Sequence, residues 1–266
     1  MSPEVLDSLL LWLHLVTGVF LVGYGLFWTI VAVPFASRSG SGEMEAFLAE
    51  VKGAKWPPFG PVRLSLPVLG WLGFLGMGLT GYLLGRGDEA GFGASTPKLA
   101  AFGFAFLLHV LLSLRPSRGL VTLFLVALLA TVVLSVVPGG YRGTLLAVHL
   151  LAVMIWLGHM FFWSFVVGPL CKRYQPEEKG AELREASHRW GALGGGALLV
   201  LFLTGTMMLL DRGDMPAALP WKLGLVALMV LYQMFVGHRR APKLIYANML
   251  TALVILVLSI QIVHGS

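Results

Sequence analysis

Residues 14–35, HLVTGVFLVGYGLFWTIVAVPF, decide the fold of this chain, because the sequence repeats them at residues 149–170 as HLLAVMIWLGHMFFWSFVVGPL. The positions that agree without a gap are His14/His149, Leu15/Leu150, Gly23/Gly158, Phe27/Phe162, Trp28/Trp163, Val31/Val166 and Pro34/Pro169. Both stretches are long enough to cross a bilayer as a helix, and both begin with a histidine. An ionisable side chain inside a membrane span predicts a functional site.

The composition predicts a helical membrane protein. The chain has 266 residues, of which 57% are hydrophobic and 12% charged, and its mean hydropathy is +0.83. The apolar residues form long runs without alternation, which favours a polytopic α-helical protein over a β-barrel. The net charge of +6 comes without a basic patch interleaved with aromatics, so we expect no nucleic-acid partner. Cys171 stands alone, which excludes an intrachain disulfide and a CxxC metal site.

Eight stretches are long and apolar enough to span a bilayer core, which requires about 20 residues in a helix. The sequence therefore predicts an all-α fold with eight transmembrane helices and the lipid bilayer as its surroundings. The predicted spans are residues 8–35, 62–85, 97–114, 118–138, 143–171, 191–211, 219–237 and 244–264, with approximate ends.

The distribution of Lys and Arg predicts the orientation. Fourteen of these residues fall in the loops after odd-numbered spans and five fall on the other side, which together make the nineteen in the chain. We therefore expect a multi-pass protein of the cell (inner) membrane, with both termini on the non-cytoplasmic side. The first run follows MSPEVLD, which has no basic residue, so we interpret that run as a retained span. The inner loops at 36–61 and 172–190 are predicted to form short surface helices.

The repeat extends into the neighbouring spans. LTGYLL at residues 79–84 matches LTGTMM at residues 203–208, and Lys98-Leu99 matches Lys222-Leu223, both at an offset of 124 residues. This pattern predicts two parallel four-helix repeats, at residues 1–138 and 139–266, related by an axis along the membrane normal. Glycines of the second and sixth spans are expected to allow close helix packing. They are Gly70, Gly73, Gly76, Gly191, Gly195 and Gly196.

Six ionisable residues are the candidates for chemistry. Four of them open odd-numbered spans and are predicted to lie near the outer face, while two lie about 15 Å deeper at a rise of ~1.5 Å per residue. The outer residues are His14, Lys98, His149 and Lys222, and the deeper ones are His109 and His159. A neutral imidazole is a common metal ligand and the usual axial ligand of haem iron. An interfacial lysine can hold a carboxylate such as a haem propionate, or can simply snorkel to the headgroups.

The second half resembles the copper resistance protein D (CopD) family. The resemblance rests on HLLAVMIWLG, on Thr204-Gly205, and on Lys222-Leu223 opening the next span, and it covers roughly residues 145–240. The first half keeps His14, Thr80-Gly81 and Lys98-Leu99 but has Val22-Gly23 in place of Trp-Leu-Gly. The resemblance implies copper bound on the outer side for transfer into or across the membrane, with a periplasmic metallochaperone as partner. The implied metal ligands are His14, His149 and His159.

The four-helix unit is also similar to HemJ-type protoporphyrinogen oxidases. That family places a histidine in helix one and a lysine at the start of helix three, and it binds haem b. This similarity implies the alternative of a haem b protein for quinol or electron transfer or for porphyrinogen oxidation, with a redox partner. The cofactor-binding residues that this similarity implies are His14, Lys98, His149 and Lys222. Bis-His ligation needs histidines on facing helices at one depth, which His14 with His149 would supply, or His109 with His159, so His109 is a further candidate. Because the chain is doubled relative to that family, enzymatic activity is left open; a homo-oligomer or a structural subunit also fits the sequence.

Overall fold

The computed structural model describes residues 3–36, 55–56, 64–85, 96–114, 117–136, 140–167, 178–212, 215–236 and 242–264. These residues are helical apart from short connections and one two-residue antiparallel pair, β1 (Lys55–Trp56) with β2 (Leu64–Ser65). The helices are α1 (Pro3–Leu26, continued by Phe27–Ala32 and Val33–Ala36), α2 (Leu66–Gly85), α3 (Thr96–Leu114), α4 (Arg118–Val136), α5 (Gly140–Phe162, continued by Trp163–Val167), α6 (Glu178–Arg212), α7 (Leu219–Val236) and α8 (Pro242–His264).

Five of these helices are long and apolar enough to cross a membrane. They contain the segments Val5–Ala32, Leu66–Leu84, Pro97–Leu114, Gly140–Phe162 and Arg189–Arg212. Three shorter apolar segments, Arg118–Leu134, Leu219–Tyr232 and Ala247–Ile262, fall within the other predicted spans. Large apolar side chains point outward from the bundle, as at Leu75 (63% exposed) and Phe202 (69% exposed). Such a surface suits lipid rather than water, so the chain is an all-helical, membrane-embedded protein.

Helix α6 differs from the prediction made for residues 172–190. Its polar residues from Glu178 onward do not form a separate surface helix but continue directly into the apolar segment, giving one helix that ends at Arg212. Glu, Lys, Ala, Leu and Arg dominate this part of the sequence, and all of them favour helix, so nothing local interrupts it. The other predicted surface helix, at 36–61, lies outside the described residues except for β1.

The centre of the bundle is the crossing of α1 and α5. A methyl group placed on Gly23 would lie 2.7 Å from the Cα of Gly158, so the two backbones touch with no room for a side chain. One side of this crossing pairs Gly18 with Met154, and the other stacks Phe27 on Phe162 with ring centroids 5.7 Å apart. Because the contacting residues advance together along both helices, α1 and α5 are parallel.

The remaining helix contacts occur in matching pairs. Helix α1 packs on α2 as α5 packs on α6, α3 packs on α4 as α7 packs on α8, and α1 packs on α8 as α5 packs on α4. Both central helices also widen into a π-helical segment, at Phe27–Ala32 and at Trp163–Val167. In the first, the amide of Val33 bonds to the carbonyl of Trp28, just before Pro34, whose nitrogen carries no hydrogen to donate.

The predicted glycine faces are confirmed on α2 and wrong on α6. Methyl groups on Gly70, Gly73 and Gly76 would lie within 3.0 Å of side chains of α1 and α3. On α6, methyl groups on Gly191, Gly195 and Gly196 would meet no described atom within 4 Å. Within residues 191–196, Gly194 is the glycine in close contact, because Gly191, Gly195 and Gly196 are exposed.

Replacing Gly158 with alanine tests the central crossing. The added methyl would lie 2.8 Å from the Cα of Gly23 and the carbonyl oxygen of Val19, so the two helices must separate. We expect a destabilisation of about 2 kcal/mol or more, as for overpacked interiors, measured as a lower thermal unfolding temperature in detergent. Gly103→Ala on α3, where the methyl meets nothing within 4 Å, is the matched control. Equal melting temperatures for the two variants would show that the crossing is wrongly placed.

Candidate functional site

His14 on α1 is held by a threonine of α2. Its Nδ1 lies 3.0 Å from Oγ1 of Thr80. That hydroxyl also lies 2.7 Å from the carbonyl oxygen of Gly76, to which it donates its only proton. The hydroxyl oxygen must therefore accept from the imidazole, so Nδ1 of His14 carries the proton. The other ring nitrogen, Nε2, is left as a lone-pair donor, the form in which histidine binds a metal.

His149 on α5 has the same arrangement with α6. Its Nδ1 lies 2.9 Å from Oγ1 of Thr204, whose hydroxyl donates to the carbonyl of Val200 at 2.7 Å. The proton again sits on Nδ1 and the lone pair on Nε2. A hydrogen bond at the second ring nitrogen is the usual way that proteins orient a ligating histidine and fix its tautomer. The two outer histidines are therefore prepared as ligands in the same way.

The glycine after each threonine makes room for the imidazole. A methyl on Gly81 would lie 3.3 Å from Cε1 of His14, and one on Gly205 would lie 3.5 Å from Cε1 of His149. The Thr-Gly pair thus has a defined role, in which the hydroxyl holds the ring and the missing side chain leaves it space. The sequence analysis noted these pairs without assigning them to the histidines. Their shared offset of 124 residues was the available signal.

The two predicted lysines, Lys98 and Lys222, act on the two outer histidines. Lys98 is near enough to His14 for its charge to act on the imidazole, and Lys222 stands in the same relation to His149. Both lysines are partly buried in the first turns of α3 and α7. Each half therefore brings together a histidine with a free Nε2 and an ammonium group, which suits a ligand that carries a carboxylate.

The deeper histidines pack against α2 and α6 at a second equivalent level. Gly70 makes room for His109, with a hypothetical methyl 2.6 Å from its Cε1, and Gly194 makes room for His159, with a methyl 2.7 Å from its Nδ1. These glycines are again 124 residues apart, and each lies eleven residues, or ~16 Å of helix, from the glycine beside the outer histidine. His109 comes from α3 and His159 from α5, so different helices supply the deep histidine in the two halves.

His109 is fully buried in an aromatic cage. Its ring lies 5.3–6.0 Å, centroid to centroid, from the rings of Tyr24, Trp71, Phe74 and Phe124. Neither ring nitrogen has a hydrogen-bond partner among the described residues, and the same holds for His159. An unsatisfied buried polar group costs about 1–3 kcal/mol. Packing alone does not explain why imidazoles occupy these two positions.

The geometry separates two of the three histidines predicted to bind copper. His149 and His159 are ten residues apart on one helix, which is ~15 Å, whereas a metal–nitrogen bond is ~2 Å. One ion therefore does not bridge them. Within the part of the chain that the structure describes, no three His, Cys, Asp or Glu side chains come together as a metal site. His14 is bound to Thr80 of α2 and His149 to Thr204 of α6, so each imidazole packs in a different helix pair.

Removing the threonine hydroxyl tests the assigned tautomers. We expect the wild-type protein, selectively labelled with ¹⁵N-histidine, to show Nδ1-protonated imidazoles for His14 and His149. Thr80→Val should shift only the His14 signals, and Thr204→Val only those of His149, because each loses its acceptor. Thr206→Val is the control, since that hydroxyl bonds only to the carbonyl of Phe202 on the exposed face of α6. Protonation at Nε2 in the wild type would contradict the assignment.

Comparison with known proteins leaves the site to be interpreted from its geometry. No family model, curated protein or solved structure matches this chain. The resemblances to the CopD family and to HemJ-type oxidases therefore remain expectations. What the chain does has to be argued from the two His-Thr-Gly arrangements and the lysines beside them.

Proposed function

We propose that this chain is a haem b-binding membrane redox protein in which each half supplies one axial histidine. The observation that carries the proposal is the Nδ1-to-threonine hydrogen bond of His14 and of His149, which leaves a single free Nε2 on each helix pair. Haem iron already has four porphyrin nitrogens and needs only one or two protein ligands. A bare copper ion needs several ligands from the protein. A histidine that offers one ring nitrogen therefore suits haem better.

The residues around each outer histidine fit this cofactor. Nε2 of His14 or His149 would ligate the iron, and Lys98 or Lys222 would hold a propionate. The threonine fixes the ring orientation and, as acceptor from Nδ1, makes Nε2 a stronger electron donor. The apolar helices around the site exclude water and set a low dielectric, which influences the reduction potential. Haem would supply one-electron chemistry.

The proposal includes the two-repeat architecture. We infer that all eight helices span the membrane, as two four-helix units divided near residues 138 and 139. The parallel α1–α5 crossing and the matching helix contacts support this arrangement. The charge distribution supports an orientation in which the outer histidines lie on the non-cytoplasmic side of the inner membrane. Two equivalent sites on one face favour exchange of electrons with a redox partner on that side.

Glycine variants of the outer histidines test the cofactor assignment. In protein from haem-replete cells, His14→Gly and His149→Gly should each lower the Soret absorbance per chain by about half, and the double variant should lose nearly all of it, because each removes one axial ligand. Added imidazole should restore the band in the variants, since it can occupy the vacated ligand position. His188→Gly, in the amino-terminal part of α6, is the matched control.

Two results would reject the haem proposal. One is a wild-type protein with no Soret band when haem is plentiful. The other is a double variant that retains the wild-type spectrum, which would place the haem elsewhere in the bundle.

Copper remains a second candidate because of two methionines beside α1. A methyl on Gly18 would lie 3.6 Å from Sδ of Met154 and 3.9 Å from Cε of Met77. His14 is one helical turn above Gly18, and its ring is within hydrogen-bonding reach of the Met77 backbone. An imidazole with two thioethers is a suitable ligand set for Cu(I). The positions that correspond around His149 hold Leu201 and Val19, so among the described residues this ligand set lies beside His14 and has no equivalent beside His149.

Replacing both thioethers separates the two candidates. Under the haem proposal, Met77→Leu/Met154→Leu should retain the wild-type haem content, because leucine preserves the packing and neither sulfur ligates iron. Met229→Leu, at another buried methionine, is the control. Cu(I) titration against a chromophoric competitor completes the test. Stoichiometric Cu(I) binding that the double variant loses and the control retains would favour copper.

A further inference from the structure

A cavity of about 330 Å³ lies at the opposite end of α1 from His14. Two arginines and two threonines line it together with apolar side chains, and they come from α1, α4 and α6. The lining residues are Thr29, Val33, Pro34, Arg118, Val121, Thr122 and Arg189. Thr29 is fifteen residues from His14, or ~22 Å along a helix, so the cavity is separate from the histidine sites.

The cavity lies at the depth where the apolar segments end. The segment of α1 ends at Ala32, that of α4 begins at Arg118, and that of α6 begins at Arg189. Three independent helices therefore pass from hydrocarbon to the headgroup region beside this cavity. According to the predicted orientation, this is the cytoplasmic face. The anionic lipids of a membrane present their phosphates at this depth.

The charge of the cavity lining comes from Arg118 and Arg189. Each guanidinium has five N–H donors, so a bond to one partner leaves donors for a phosphate. The hydroxyls of Thr29 and Thr122 donate to carbonyls of their own helices, at 2.8 and 2.9 Å. Arg189 also pairs with Glu185 at 2.7 Å, but both side chains are more than half exposed. An exposed pair of this kind is weak and exchanges readily.

Part of the cavity wall is the π-helical segment of α1, which includes Thr29 and contacts α6. Interruptions of this type inside α-helices are frequent at functional sites. Val33, Pro34 and Val121 add an apolar wall beside the two arginines. An acyl chain or glycerol backbone can pack against such a wall, whereas free inorganic phosphate cannot.

We propose that this cavity binds the phosphate of an anionic phospholipid in the adjoining leaflet. Arg118 and Arg189 hold the phosphate from two different helices, and the apolar wall receives the start of the acyl region. The bound lipid links α1, α4 and α6, because residues of all three helices line the cavity. Basic pockets between membrane helices bind anionic headgroups by this chemistry.

Native mass spectrometry of the full chain from mixed phosphatidylglycerol and phosphatidylcholine nanodiscs tests the proposal. The wild type should retain phosphatidylglycerol preferentially. Arg118→Gln and Arg189→Gln should each weaken retention about fivefold, and the double variant about 25-fold. These factors follow if each arginine makes one contact with the lipid phosphate and the two contacts are additive. Arg142→Gln is the matched control, because that arginine lies at the opposite end of the bundle, paired with Asp211 at 2.7 Å.

Glu185→Gln keeps the test independent of folding defects. This variant removes the competing carboxylate, so it should increase phosphatidylglycerol retention. Retention equal to wild type in the double arginine variant would overturn the proposal, and so would an equal loss in Arg142→Gln. The last experiment adds inorganic phosphate as a competitor of the lipid. Displacement of the lipid by phosphate, or equal thermal stabilisation by phosphate and phosphatidylglycerol, would show that the site takes a free anion and not a lipid.

Discussion

The backbone contact between Gly23 and Gly158 is the constraint on which the rest of the structure depends. It lets α1 and α5 approach more closely than any side chain allows and keeps them parallel. His14 and His149 both lie nine residues before this contact, so the crossing sets the two imidazoles at the same height. In a bilayer, no hydrophobic force drives helices together, and close contact between small residues takes its place. The equivalence of the two sites follows from that packing.

The second essential element is the single proton of a threonine hydroxyl. Thr80 and Thr204 donate their hydroxyl proton to a carbonyl one turn earlier in their own helices, so each hydroxyl oxygen can only accept a hydrogen bond from the histidine. A neutral imidazole then has its free nitrogen directed away from the threonine. Both hydrogen bonds are partly buried between helices, which limits competition from water. The ligand form of the histidine is therefore fixed before any cofactor binds.

The helical, membrane-embedded architecture predicted from hydropathy is confirmed, whereas the rotation of each helix about its axis was not predictable from the sequence. Hydropathy and repeat spacing predicted the outer histidines and lysines at one level of the membrane, and that level stays a prediction. The threonine partners were not predicted, because they are 66 and 55 residues away along the chain from their histidines. Rotation about a helix axis depends on contacts that no periodicity reports. For the same reason, Gly194 and not its neighbours Gly195 and Gly196 proved to be the close contact on α6.

The deeper histidines show a different limit of sequence reasoning. Their depth was predicted, but the cage around His109 and the equivalence of Gly70 with Gly194 depend on three-dimensional packing. In the gapless comparison of the two stretches, Tyr24 stands where the second stretch has His159. At the outer level the same residue types occur twice, whereas at the inner level the two imidazoles come from different helices, α3 and α5.

The most direct test of the central claim is a haemin titration of the cofactor-free full chain, followed by absorption at the Soret band. If each half provides one equivalent axial histidine, binding should saturate at two haems per chain, with one spectral form throughout. Saturation at a single haem would contradict two independent sites, and no saturable binding would contradict the haem assignment itself.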